Sequence, residues 1–256
     1  MANPILIYEV RDQIAYVTMN RPEKLNALNG ELSLALKQAW IDFQGDDDAR
    51  VAIFKGNGRA FCAGADQTPG QVDHNLPYLT HEGYPPNGLQ LFKPVIAAVR
   101  GYAYGAGYAL AIRGSDITIC SENAQIGFPE ARVGIPVAPI SYLPYLPYKI
   151  SLELMLLGWT GGRIMPAQRA FQLGLINAVV PADQLEATVQ AKAKALAAKP
   201  PAALRATKAL LKADGNEVSA RISLEAKIFS ERLQSGELRE AITAFFEKRA
   251  PDFSKF

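Results

Sequence analysis

Val51-Ala52-Ile53-Phe54-Lys55-Gly56-Asn57-Gly58-Arg59-Ala60-Phe61-Cys62-Ala63-Gly64-Ala65-Asp66 runs from an apolar quartet straight into a turn built of small residues. The quartet is too short for a helix and lacks polar alternation, so it reads as a strand buried on both faces. The small residues that follow let a ligand approach the main chain and leave backbone N–H groups available as donors.

A companion unit lies downstream. Pro94 to Val99 is another short apolar run, followed by Gly101-Tyr102-Ala103-Tyr104-Gly105-Ala106-Gly107 and the helix-like Ala109-Leu110-Ala111-Ile112. A turn placed at a helix start offers unsatisfied N–H groups and a dipole that favours negative charge. Either glycine cluster alone reads as a tight turn, whereas the pair can hold one developing oxyanion. Nucleotide readings fit less well. Leu110 stands where a dinucleotide fingerprint needs a small residue, and Gly56 to Arg59 lacks the Gly-Lys-Ser/Thr ending of a phosphate loop.

Outward from these units, Ile5 to Val10 and Ile14 to Met19 read as an opening hairpin. Leu32, Ala35, Leu36, Ala39, Trp40 and Phe43 recur at helical spacing over about 30 to 44, with Asn29 as N-cap. Ile117 to Cys120 and Gln125 to Gly127 look like further strands, and Pro136, Pro139, Pro144 and Pro147 then break regular structure. From Ser151 onward helical patterns dominate, with long stretches over 183–199, 202–213 and 217–249 interrupted by Pro200-Pro201 and Gly236. The polar stretch from Asp66 to Gln90 has no usable periodicity and reads as a loop covering a site. An α/β core with crossover helices and a helical tail is the expected architecture.

Composition narrows the function classes. Of the 256 residues 49% are hydrophobic and 20% charged, which argues for a folded globule. The formal net charge is +2 with no basic run, so no nucleic-acid partner is expected. Two cysteines make no disulfide framework and fit a reducing compartment, with the cytoplasm as the default. No targeting or membrane-spanning segment is expected. His74 and His81 read as solvated loop residues, no metal site is expected, and there is no Gly-x-Ser-x-Gly elbow. Cys62 and Cys120 read as small core residues rather than nucleophiles. Tyr78, Tyr84, Tyr142, Tyr145 and Tyr148 read as packing aromatics.

Taken together, several motifs resemble the enoyl-CoA hydratase/isomerase (crotonase) family. They are Asn20-Arg21-Pro22-x-x-x-Asn26-Ala27-Leu28, Gly58 to Asp66, Gly101 to Gly107, and Ile126-Gly127-Phe128-Pro129-Glu130 with Gly134-Ile135-Pro136. The match continues through Gly161 to Ala170, Gly174-Leu175-Ile176-Asn177, Val179-Val180-Pro181 and Ala244 to Phe253, and is weakest at about 67–90 and 137–149.

The resemblance implies a crotonase-like spiral of ββα units over 1–195 carrying an acyl-CoA site, then a C-terminal helical trimerisation region over 196–256, assembled as a homotrimer or hexamer. It implies an acyl-CoA thioester substrate with no separate cofactor, coenzyme A being part of the substrate. It also implies that the backbone N–H groups of Ala65 and Ala106 form an oxyanion hole and that Glu130 is the catalytic carboxylate. Lys24, Leu25, Ala27, Ala63, Asp66 and Gln67 are the implied coenzyme A contacts.

The departure from the family pattern is Ala109, which aligns with the second glutamate of two-glutamate hydratases and cannot transfer a proton. Hydration needs both water activation and proton delivery, whereas double-bond isomerisation can use one carboxylate. Isomerisation through Glu130 is therefore the favoured expectation, with hydration or another enolate reaction as the alternative inside the family. A non-catalytic coenzyme A ester-binding protein and a nicotinamide oxidoreductase are the alternatives outside it. Binding of acyl-CoA without turnover would mark the former, and binding of NAD(H) the latter.

Overall fold

The computed structural model describes residues 4–68, 91–134, 146–158, 164–213 and 236–249. The loop read as a cover lies outside them over 69–90, as do His74, His81, Tyr78, Tyr84, Tyr142 and Tyr145.

The opening hairpin forms as β1 (Leu6–Arg11) and β2 (Ile14–Met19), paired antiparallel. Asp12 and Gln13, both at positive φ, make its two-residue turn. The crossover helix α1 (Gly30–Gly45) then returns the chain to β3 (Val51–Gly56), which pairs parallel with β2. Asn29 caps α1 by accepting the Leu32 N–H at 2.9 Å.

β4 (Val95–Val99), β6 (Ile117–Ser121) and β9 (Ala178–Val180) extend the sheet in parallel, giving the order β1-β2-β3-β4-β6-β9. Helix α2 (Ala106–Ile112) links β4 to β6 after a short strand, β5 (Tyr102–Tyr104). β5 joins β7 (Gln125–Gly127) and β8 (Met165–Pro166) in a second sheet. The second glycine segment is thus a strand edge as well as a turn.

Alternation decides what each face covers. Ile14, Tyr16, Val51, Ile53, Ile96, Ala98 and Ile119 form one buried cluster with Leu185, Val189, Ala193 and Ala197. The last four are spaced every fourth residue on α5 (Leu185–Ala197), so its apolar stripe lies flat on the sheet. Phe54 points away from this cluster and meets Trp40 of α1 edge-on at 5.2 Å and Phe61 at 5.1 Å.

The chain divides into two compact units. One comprises Met1–Ile126 with Pro166–Asp214, and the other Gly127–Met165 with Gly215–Phe256. The first carries the six-stranded sheet, α4 (Ala167–Gln172), α5 and α6 (Pro201–Ala213). Pro201, expected to interrupt, is the first residue of α6, where its missing N–H costs nothing. The second carries a 3₁₀ turn at Glu130–Val133, α3 (Tyr148–Leu157) and α7 (Gly236–Phe246), and both helices pack against that turn.

Helices dominate after Ser151 as expected, with two short strands, β8 and β9, among them. At two and three residues they are too short to show a period. Gly236, the expected interruption, is the first described residue of α7, and 217–235 of the expected stretch lie outside the described residues.

Candidate active site

Three segments converge beyond the C-terminal ends of β3 and β4, all within the first unit. Between Pro22 and Lys24 the chain forms one 3₁₀ turn, after which Leu25 and Asn26 both adopt left-handed backbone at φ 51° and 55°. That conformation is unfavourable for leucine. It is held by a buried network around Asn26, whose Oδ1 accepts the Arg21 N–H at 2.9 Å while Nδ2 donates to Asn57 O at 2.9 Å and Ala60 O at 2.8 Å.

Asn26 is fully buried, so Asn26→Leu strands one donor and two acceptors. The expected cost is about 3 kcal/mol, read as a fall in the denaturation midpoint without change of slope.

Main-chain bonds fasten this turn to the glycine-rich segment. Ala63 N–H donates to Leu25 O at 3.0 Å, Leu28 N–H to Gly64 O at 2.8 Å, and Asp66 N–H to Leu28 O at 2.8 Å. Arg21 adds a side-chain clamp: one guanidinium nitrogen donates to Ala27 O and the other meets Asp66 Oδ2 at 2.9 Å. Burial would raise the Asp66 pKa, but hydrogen bonds from the Thr68 hydroxyl and N–H and from Arg21 outweigh it and hold the carboxyl below its ordinary value. The Asp66 side chain is therefore committed to the frame. Lys24 stays exposed, while Leu25, Ala27, Ala63 and Gln67 are half-buried around the same junction.

The second glycine segment runs alongside. Phe61 N–H donates to Arg100 O, Cys62 N–H to Tyr102 O, and Tyr104 N–H to Cys62 O. Gly64 sits at φ +100°, and a Cβ there would lie 2.9 Å from Tyr104 O and 3.8 Å from Ala106 N. A Cβ on Gly107 would come within 2.2 Å of Cys62 O. Only glycine permits both approaches.

The result is a pair of neighbouring main-chain donors. Ala106 is the first residue of α2, so its N–H has no helical acceptor, and Ala65 N–H lies between the two bonds that Leu28 makes to Gly64 and Asp66. Neither amide has a hydrogen-bond acceptor among the described residues. Ala109 follows within α2, half-buried. Burial pushes the thiols of Cys62 and Cys120 up to about 12, which suits packing rather than nucleophilic attack.

Glu130 lies in the second unit, where Pro129 precedes its 3₁₀ turn and Gly134 closes it at φ 71°. Its Oε2 is fully buried and has no hydrogen-bond partner among the described residues. Burial pushes the carboxyl up to about 7, its own backbone N–H offsetting part of that effect. Such a group is available both as acid and as base near neutral pH.

The pKa shift carries a stability consequence. Because the folded-state pKa lies above the unfolded value of 4.5, the folded chain binds this proton more tightly, and stability falls as pH rises from about 4.5 to 7. The loss is on the order of 3 kcal/mol. Glu130→Gln is therefore expected to raise Tm at pH 8 and to leave it unchanged near pH 4, as followed by thermal denaturation across pH.

Sequence reading named Ala65, Ala106 and Glu130 but gave Asn26 and Arg21 no role beyond a motif. Their partners Asn57, Ala60 and Asp66 lie 31 to 45 residues away, and no local pattern reports such contacts. Among the described residues no group of three His, Cys, Asp or Glu is placed to hold a metal, and no helix is long and apolar enough to cross a membrane.

Comparison with known proteins adds four findings. The profile of the enoyl-CoA hydratase/isomerase family matches residues 9–255. A probable enoyl-CoA hydratase of Rhodobacter capsulatus is 34% identical over 253 residues, covering 96% of each chain. The (E)-benzylidenesuccinyl-CoA hydratase of Thauera aromatica is 33% identical, covering 96% of this chain and 97% of its own. The crystal structure of an enoyl-CoA hydratase/isomerase from Pseudoalteromonas atlantica matches the fold with a TM-score of 0.86 at 30% identity, covering 98% of this chain and 100% of that one.

Proposed function

This chain belongs to the enoyl-CoA hydratase/isomerase family and is an acyl-CoA-processing enzyme; from that premise we propose that it moves a carbon–carbon double bond within an enoyl-CoA through a single carboxylate. Glu130 takes a proton from the carbon next to the thioester carbonyl. The electrons delocalise onto the thioester oxygen, where the N–H groups of Ala65 and Ala106 stabilise the charge. The same carboxyl then returns the proton two carbons further along, leaving the double bond conjugated.

The observation that carries this reading is the buried Glu130 oxygen, without a hydrogen-bond partner among the described residues and with a pKa near 7, in a chain with alanine at position 109. A carboxyl with that pKa releases and regains a proton at neutral pH at little cost. One well-placed main-chain donor to a developing oxyanion contributes about 3 to 4 kcal/mol.

The test supplies a 3-enoyl-CoA and, separately, a 2-enoyl-CoA, following conjugated-thioester absorbance and product mass. Conversion of the 3-enoyl ester to its conjugated isomer without water uptake is the expected result. Efficient hydration of the 2-enoyl ester would overturn it.

Hydration is the second reading, because the relatives named above carry hydratase names. Ala109→Glu separates the two. If the missing carboxylate is what withholds hydration, this variant is expected to hydrate 2-enoyl-CoA at least about tenfold faster than the parent chain.

A further inference from the structure

At the opposite end of the main sheet's strands, before the N-terminal ends of β3 and β4, a cavity of about 190 Å³ is lined by Asp47, Ala49, Arg50, Lys93, Pro201 and Arg205. We propose that this cavity is a second anion-binding site, separate from the acyl-CoA site, which takes a phosphate group. The parallel strands set the separation: β3 has six residues at a rise of roughly 3.3 Å, so its two ends lie about 17 Å apart.

Three cations line the cavity against one carboxylate. Lys93 is buried, and its Nζ donates to Phe43 O at 2.8 Å and to Asp46 O, both near the C-terminal end of α1. Two of its three N–H bonds are thereby used, which fixes the ammonium in place and leaves one donor. Arg50 spends one guanidinium nitrogen on Ala197 O at 3.1 Å. Arg205, in the second turn of α6, has no hydrogen-bond or ion-pair partner among the described residues, and its guanidinium is free to form a two-point contact with an oxyanion.

The surrounding frame is already assembled. One turn beyond Arg205, Lys208 Nζ donates to Lys93 O at 2.7 Å and meets Asp116 Oδ2 at 2.6 Å, docking α6 onto the residue that supplies the buried ammonium. The N-terminus of α6 also opens at Pro201 on the cavity wall and adds its partial positive charge. Burial lowers the Lys93 pKa, and the nearby Arg205 adds to that effect against the opposing pull of Asp46 and Asp47. Like charges thus face each other across the cavity, and an anion between them relieves the repulsion. Asp47 is exposed and supplies the only carboxylate in the lining.

A phosphate could arrive free or as part of a nucleotide, so both forms serve as probes. The full-length protein is titrated calorimetrically with inorganic phosphate and with adenosine 3′,5′-bisphosphate, at constant ionic strength against chloride. Arg205→Gln is compared with the parent chain, and acyl-CoA turnover is measured for both. Saturable binding of either probe, weakened at least tenfold by Arg205→Gln with turnover unchanged, supports the site. Binding of phosphate itself identifies the free ion as a sufficient ligand, and binding of the bisphosphate alone identifies a nucleotide source. Absence of saturable binding for both probes, or binding that Arg205→Gln leaves intact, overturns the proposal. Arg50→Gln serves as the second variant if Arg205→Gln fails to fold.

Discussion

Glu130→Gln is expected to lower kcat for double-bond migration by about 10³-fold while changing KM little. Glutamine keeps the volume and polarity of the side chain but has no proton to exchange near neutral pH. If binding rests on the main-chain segments around Ala65 and Ala106, it should survive the substitution. In the unsubstituted enzyme kcat/KM should rise with pH and level off above about 7, because the ionised carboxylate is the form that accepts the first proton. The paired effects on rate and stability are diagnostic. A carboxyl kept only for structure would not yield a variant that is more stable at pH 8 and nearly inactive.

The second large effect concerns main chain that no side-chain deletion can remove. Gly107→Ala places a methyl group 2.2 Å from Cys62 O, so the start of α2 and the Cys62–Asp66 segment must move apart. The Ala65 and Ala106 amides move with them. Misplacing one such donor is expected to lower kcat by about 10²- to 10³-fold, beyond a stability loss of about 1 to 3 kcal/mol from overpacking. Stopped assays on the folded fraction, quantified by circular dichroism, separate the two effects. Gly45→Ala is the control. Gly45 ends α1 and has nothing within 4 Å of its would-be Cβ, so neither property should change.

The parts of this molecule that were legible in sequence are those whose cause is local. The hairpin, α1 with its Asn29 cap, and the strands β3, β4 and β6 follow from apolar runs and periodicity over a few residues. The two glycine segments were visible because close main-chain approach demands small residues wherever it occurs. Ala109 was visible only as a departure from a family pattern.

What was not legible depends on partners distant in sequence. β8 and β9 exist because neighbouring strands accept them, as when Asn177 N–H donates to Thr118 O. Asn26 reads as an ordinary turn residue until Asn57 and Ala60 are folded over it. The same holds for the cation cavity, whose Arg50, Lys93 and Arg205 are each unremarkable as single charges. The Glu130 pKa is likewise a product of burial that no neighbouring residue in the chain announces.

The most direct test of single-carboxylate transfer uses a 3-enoyl-CoA carrying deuterium at both hydrogens of the carbon next to the thioester. Turnover is run in ordinary water and the conjugated product is examined by mass spectrometry and NMR. Transfer through one buried carboxyl, faster than its exchange with solvent, predicts deuterium on the carbon two positions further along. Product with only solvent hydrogen at that carbon, or a hydrated ester in place of the conjugated isomer, would contradict the account.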